Sequence, residues 1–561
     1  MAAILLTYAA IQSFAIFGPF FPLDDLQELA VVNGMEHWWQ IFGSDAFKLF
    51  RPTKNVVFAV FAILSTHSMI LTRVIAVFIG CLCIFPVYAL FRRIFNADRT
   101  SLLATAIWAF SPTLVSSIAW LSCVNIQVMC AFGALMIFLH DKAFETGELQ
   151  WRFAVGSATC LFLACLSYEC AVAVGLLVVA FDFYLRPKRF VSRRAWCAYL
   201  SYAAVTMAYI ALRSSVGSAS SLNGNFINAT RMDMSLASAY FACLHFLVWL
   251  WPFGKMTPLG SYNPTEISSL LLAGCWIAVV GLATLAVIFR HRRPMFAFGI
   301  AFAFIAFLPV SNILGFGNGP YGDYYMGLPS IGLIVLMIDV CRLRFSPKWM
   351  LHYAGFSICS IFVASRCFAI PEAARWAWLW ADGARAFESG IEAFPEVYGN
   401  RLMLAKVYYE NGRVEQAMEC CDWLENRLGL ESDKMGLVYQ LRALHAMNDK
   451  HDARAALHFL DSATKVDKIG NGGRSTRFLR GCVYEDLLDD LKSAEVEYRA
   501  AIAGKWSIDT PAAADRLARL LALRGDTDEA EALWVKALEY QPENAVIRHN
   551  LALLRRSMSK Q

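Results

Sequence analysis

Charged residues are scarce in this chain. Only 17% of its 561 residues are Asp, Glu, Lys or Arg, against about 25% in a soluble globular domain. With 58% hydrophobic residues and a mean hydropathy of +0.46, that shortage excludes an ordinary soluble protein as a description of the whole chain. Thiolate metal chemistry is missing too. The sixteen cysteines form no CxxC pair, and most stand singly in apolar runs, as Cys81, Cys83, Cys130 and Cys160 do. They read as small apolar packing residues, so no metal site is expected. No cleavable leader pattern is present, because the apolar residues 2–22 run straight into a loop and read as a first span. The net charge of +5 is spread over short loops and gives no reason to expect nucleic acid. Residues 1–370 carry no internal repeat, which argues against a transporter built from paired halves.

What the chain does have is long apolar runs, nearly all before residue 371. A membrane span needs about 20 mostly apolar residues. On that measure the spans fall near 2–22, 69–91, 100–112, 122–140, 151–167, 169–185, 195–212, 267–289, 295–313, 326–341 and 349–369. The apolar stretches 54–66 and 236–253 read as re-entrant or interfacial helices. Lys and Arg gather in loops on the cytoplasmic side. The clusters Arg92-Arg93 with Arg99, Arg186 to Arg194, Arg290 to Arg293 and Arg342 to Lys348 share one side only if 236–253 does not cross. The expectation is therefore an all-helical bundle of eleven spans, an inside N-terminus, and a periplasmic or luminal C-terminal domain.

Residues 371–561 read as a soluble helical array. Small residues recur at Gly383, Ala417, Ala453, Ala494 and Ala530, spaced by 34, 36, 41 and 36. Phe387, Leu457, Tyr498 and Trp534 each follow their small residue by four. Gly412 and Gly525 each lie five before theirs, and Pro395 and Pro542 close units. This is the tetratricopeptide pattern: a small residue lets two helices cross closely, a large one fills the gap, and a proline ends the second helix. The domains are then a membrane domain over 1–370, a connecting helix or first half repeat over 371–394, and the repeats over 395–561.

Chemistry is sought at the external ends of the spans. The loop from Phe21 to Lys54 begins with Asp24-Asp25 and ends in Phe50-Arg51-Pro52, and His67 and Arg73 follow a short apolar helix. Paired carboxylates beside a membrane suit general base work. An arginine inside a span is costly and marks a site unless it snorkels to the interface.

The order of several motifs adds a resemblance. Leu23-Asp24-Asp25 and Phe50-Arg51-Pro52 come first. Ser111-Pro112, Trp120-Leu121-Ser122, Ser167-Tyr168-Glu169 and Tyr209 with Arg213 follow. Leu308-Pro309-Val310-Ser311-Asn312 and Tyr324-Tyr325 with Leu328-Pro329-Ser330-Ile331-Gly332 close the series. In these pieces the chain resembles the GT-C superfamily of polyprenyl-phosphate-sugar-dependent glycosyltransferases. It most resembles the transmembrane and tetratricopeptide repeat-containing protein O-mannosyltransferases and their bacterial relatives. The resemblance implies a lipid-linked sugar donor in the membrane and a protein or glycan hydroxyl as acceptor. It makes Asp24 or Asp25 the base. Arg51, His67 and Arg213 then hold the phosphate, while Glu169, Tyr324 and Tyr325 face the same cavity. The repeats would recruit the acceptor or a partner protein. The chain departs from the relatives in carrying Tyr168 where they often have Lys, and Asp323, Tyr324 and Tyr325 where they often have Arg. Those departures keep open a non-catalytic, membrane-anchored scaffold.

Overall fold

The computed structural model describes the chain except for residues 19–23, 36, 46–48, 66–67, 217–230, 254–264, 266, 312, 314–321, 343–359, 361, 367, 396, 430–431, 433–434, 467–472, 504–505, 507–509, 541–543 and 559–561. Every regular element among the described residues is a helix. His67 and most of the expected span 349–369 lie outside the described residues. Two compact units emerge: residues 1–21 with 39–397, and residues 22–38 with 398–561.

The first unit is built on the helix Leu121–Ala143, which is largely buried between Met69–Phe95 and Trp151–Ser167. The helices Pro294–Phe307 and Pro329–Arg342 cross at two glycines. A Cβ on Gly299 would lie 2.7 Å from the Leu336 nitrogen, and one on Gly332 would lie 2.6 Å from the Gly299 oxygen. No side chain fits between these backbones, which gives the glycine of Leu328-Pro329-Ser330-Ile331-Gly332 a packing role. Met69–Phe95 has both ends fixed. The Ser68 hydroxyl accepts from Leu71 N, and Asn96 closes the helix in the left-handed region at φ 49°.

The expected eleven spans are corrected here. Among the described residues four helices are long and apolar enough to cross a bilayer: Met69–Phe95, Leu121–Ala143, Arg193–Ser215 and Ser269–Ile288. A fifth results if Asp98–Ala109 and Pro112–Ala119, bent by 61°, count as one. The other described runs are apolar but short or broken. The 3-10 turn Glu169–Ala173 takes up the start of the expected span 169–185 and leaves only the 12-residue helix Val174–Leu185, Leu308–Val310 ends the one at 295–313, and Ala2–Ser13 is only 12 residues long. At 1.5 Å per residue, such pieces fall short of the roughly 30 Å hydrocarbon layer. The stretches 54–66 and 236–253 form the short helices Pro52–Ser65 and Ser238–Leu250. Ser269–Ile288 is almost entirely uncovered, with Leu270 85% and Ile277 73% exposed.

The second unit is a stack of helical hairpins: Tyr398–Glu410 with Val414–Leu428, Met435–Asn448 with Ala453–Val466, Gly473–Asp486 with Leu491–Ile502, and Thr510–Arg524 with Thr527–Tyr540. Ala545–Met558 closes it. Each first helix packs on its own partner, and each second helix packs on the next hairpin, as a solenoid requires. Every hairpin turn contains one residue of positive φ: Gly412, His451, Asp489 and Gly525. Five residues on from these come Ala417, Ala456, Ala494 and Ala530, all fully buried. Four further on, Cys421, Leu460, Tyr498 and Trp534 fill the crossings. The weak unit is thereby corrected from Ala453 and Leu457 to Ala456 and Leu460, one helical turn later. Both Ala453 and Leu457 are only partly buried. The Cys421 thiol, buried at its crossing, is pushed up to about 12 by that burial and stays protonated and unreactive.

His451 has the left-handed backbone that glycine occupies in two sister turns. That conformation costs a side-chain-bearing residue roughly 1–2 kcal/mol, partly offset by the larger entropy of an unfolded glycine. His451→Gly should therefore raise the thermal midpoint of the repeats, by a free-energy gain on the order of 0.5–1 kcal/mol. Asp489→Gly should gain less, because Asp tolerates this region better. Thermal unfolding of the full-length variants checks this, and a lower midpoint for His451→Gly would refute the assignment of strain.

The segment 373–394, expected to be a half repeat, forms Ala369–Trp380 and Gly383–Ala393 and belongs to the first unit. Trp380 stacks on Trp120 with ring centroids 5.4 Å apart.

Candidate functional site

The site is assembled where spans break. Pro52 opens the helix Pro52–Ser65, so Arg51 sits just outside its first turn. Glu169 begins the 3-10 turn that separates Trp151–Ser167 from Val174–Leu185. Arg51 Nε and Nη2 donate to the two Glu169 carboxylate oxygens at 2.8 and 2.7 Å. This planar fork is the strong, direction-fixing form of an ion pair. The same guanidinium lies 4.5 Å over the Tyr168 ring. Below it, Asp45 is 3.8 Å from Arg51 and 3.4 Å from Lys54 Nζ. The Asp45 carboxylate also accepts from Leu49 N at 2.8 Å, which fixes the loop that carries Arg51. Arg51, Lys54, Asp45 and Glu169 are all buried, and two cations face two carboxylates. Burial on this scale is tolerated only because each charge has a partner.

Tyr168 forms part of the wall of a small cavity of about 10 Å³, room for roughly one water. Tyr324, Tyr325, Leu328 and Pro329 line it from one side, and Val310, Cys170, Ile126 and Met129 from others. Its wall therefore brings together Tyr168, Val310, Tyr324-Tyr325 and Leu328-Pro329, four motifs separated by up to 161 residues. Tyr324 packs edge-on against Tyr325 at 4.7 Å and against Trp120 at 6.0 Å. Phe50 approaches Tyr209 at 6.1 Å, which links the Arg51 loop to the helix Arg193–Ser215. Arg213, near the end of that helix, is half-buried.

Three residues absent from the sequence expectations belong here. His245 lies 5.9 Å from Tyr325. Its Nδ1 is 2.6 Å from the Phe241 carbonyl, and its Nε2 accepts from Gly322 N at 3.4 Å. That pattern assigns the proton to Nδ1. Asp45 and Lys54 were visible only as opposite charges in one loop. Arg73 is buried and donates to the Ala119 carbonyl, so it braces the bend before Trp120 and does not snorkel outward. Asp24 and Asp25 belong to the second unit. Asp24 is partly exposed at the start of the helix Asp25–Asn33, and its carbonyl accepts from Glu28 N at 3.0 Å. Asp25 and Glu28 are fully buried, and their helix packs on Thr527–Tyr540.

No protein-family model matches the chain, and no curated protein matches it by sequence. Solved structures align with it weakly. A thermophilic TPR protein of Thermus thermophilus is 22% identical, over 39% of this chain and 98% of that one, with a TM-score of 0.25. Yeast Tom70 is 13% identical, over 84% of this chain and 96% of that one, with a TM-score of 0.27. Scores this low carry no argument, and the hairpin stack stands on its own helix pairs and turns.

Proposed function

We propose that the chain is a membrane glycosyltransferase of the GT-C kind, moving a sugar from a polyprenyl-phosphate donor to a protein or glycan hydroxyl. Mannose is the sugar that the resemblance suggests. The observation that carries this reading is the wall of the small cavity, where motifs up to 161 residues apart meet and which the Arg51–Glu169 fork adjoins through Tyr168. A membrane setting is supported by Ser269–Ile288, whose apolar side chains in water would be strongly unfavourable.

In this mechanism Arg51 and Arg213 hold the phosphate leaving group, joined by His67. Glu169 orients Arg51. Tyr324 and Tyr325 present ring faces and hydroxyls to the sugar. Asp24 or Asp25 takes the proton from the acceptor hydroxyl. Of the pair, Asp24 is the better base, because it is the one with solvent access. The donor is the only small molecule that the mechanism calls for. The hairpin stack binds the acceptor or a partner protein through its concave face. Purified protein supplied with polyprenyl-phosphate mannose and a hydroxyl-bearing peptide should produce glycosylated peptide; no product with any lipid-linked sugar or acceptor would overturn the reading.

The one-sided basic loops support periplasmic or luminal repeats on the eleven-span reading of the sequence; the four or five long helices give that side only if shorter apolar pieces after Arg293 also cross. A reporter fused after Gln561 should be active only in the external compartment, and a cytoplasmic signal would reverse the topology.

One observation favours the scaffold alternative: the Arg51 fork is already occupied by Glu169. A scaffold would bind partner protein through the repeats but bind no donor.

A further inference from the structure

A second charged cluster lies where the helices Val174–Leu185 and Arg193–Ser215 are joined through the short helix Pro187–Phe190. The elbow contains Arg186, Lys188, Arg189, Arg193 and Arg194, with no acid among them. Two of these cations point inward and are matched. Arg189 pairs with Asp141 at 2.7 Å and Asp182 at 3.2 Å, and Arg186 pairs with Asp141 at 3.2 Å. Neighbouring Arg93 pairs with Glu145 at 2.9 Å. Three guanidiniums thus face three carboxylates. Asp182 is fixed further by Tyr199, whose hydroxyl donates to it at 2.7 Å, and by His140 at 2.9 Å.

This frame, anchored on the buried Asp141 and Asp182, fixes the elbow and leaves Lys188, Arg193 and Arg194 exposed and without carboxylate partners in the frame. Apolar side chains stand beside them: Val191 is 74% exposed and Trp196 50%. A second basic loop lies alongside, with the Arg290 guanidinium 5.2 Å over the Phe183 ring. Cations interleaved with an exposed tryptophan, at the very start of an apolar helix long enough to cross a bilayer, match the headgroup boundary of a membrane. A nucleic acid or an acidic peptide in water would satisfy the charges but leave Val191 and Trp196 uncovered.

We propose that this elbow is a docking surface for the headgroups of anionic phospholipids. The proposal rests on the membrane reading and is independent of sugar transfer. Each basic side chain near an anionic surface contributes about fivefold in affinity. The three surplus cations together should contribute roughly 100-fold, weakening as salt rises.

The test uses full-length protein in nanodiscs of phosphatidylcholine alone or mixed with phosphatidylglycerol, and reads the phosphatidylglycerol enriched around the protein. Wild type should enrich it, and the triple variant Lys188→Gln, Arg193→Gln, Arg194→Gln should lose that enrichment. The charge-keeping variant Lys188→Arg, Arg193→Lys, Arg194→Lys should retain it, separating charge from fold. Wild-type protein that inserts but shows no preference, or a Gln variant that keeps the preference, overturns the inference alone. Protein that enters neither bilayer overturns the membrane reading with it.

Discussion

Asp24→Asn should slow sugar transfer by about 10²–10⁴-fold, the usual contribution of a positioned general base. The substitution preserves size and removes only the proton acceptor. Asp24 is partly exposed, so its replacement should leave the thermal midpoint close to wild type. Asp25 is fully buried, so Asp25→Asn should affect folding more than turnover. Transfer rates measured beside thermal midpoints separate the two. Wild-type rates in Asp24→Asn, in Asp25→Asn and in the double variant would remove both acids from the mechanism.

Arg51→Ala should be the most damaging single change in the first unit. It leaves Glu169 buried without its fork, and breaking a buried pair from one side typically costs about 3–5 kcal/mol. Arg51→Lys keeps the charge but loses the planar two-point contact, so it should recover stability and donor binding only in part. The double variant Arg51→Met, Glu169→Leu removes both charges and should be more stable than Arg51→Ala, because no buried charge is left alone. That recovery in stability should not restore donor binding. Thermal midpoints and donor affinity, read on the same preparations, decide the matter. A double variant that binds donor as well as wild type would make the fork purely structural.

The repeats were legible in the sequence where glycine supplied the left-handed turn. Gly412 and Gly525 set the register of Ala417 and Ala530 directly. In the middle units His451 and Asp489 occupy that backbone position, so the five-residue rule had no glycine to start from and the spacing slipped by one turn at Ala453. The spans were overcounted for a different reason. Hydropathy sums side chains and is blind to backbone geometry, so the break at Glu169–Ala173 left no trace in its apolar run, whereas Pro112 and Pro309 mark the other two breaks in the sequence.

At the candidate site the sequence picked out most of the participants but none of their pairings. Arg51 and Glu169 were expected to share a cavity; their direct pairing was not. Nothing in a linear chain links residues 118 apart. His245 was hidden inside an apolar stretch, where a lone histidine looks like packing. The acids of the first loop were legible as a pair, yet only the fold separates a partly exposed Asp24 from a buried Asp25.

The most direct test is donor binding by full-length protein, measured with a polyprenyl-phosphate sugar and no acceptor. Wild type should bind, Arg51→Ala and Arg213→Ala should each bind more weakly, and Asp24→Asn should bind as wild type does. Folded, inserted wild-type protein that fails to bind any polyprenyl-phosphate sugar, or that binds it equally well in Arg51→Ala, would contradict the proposed function.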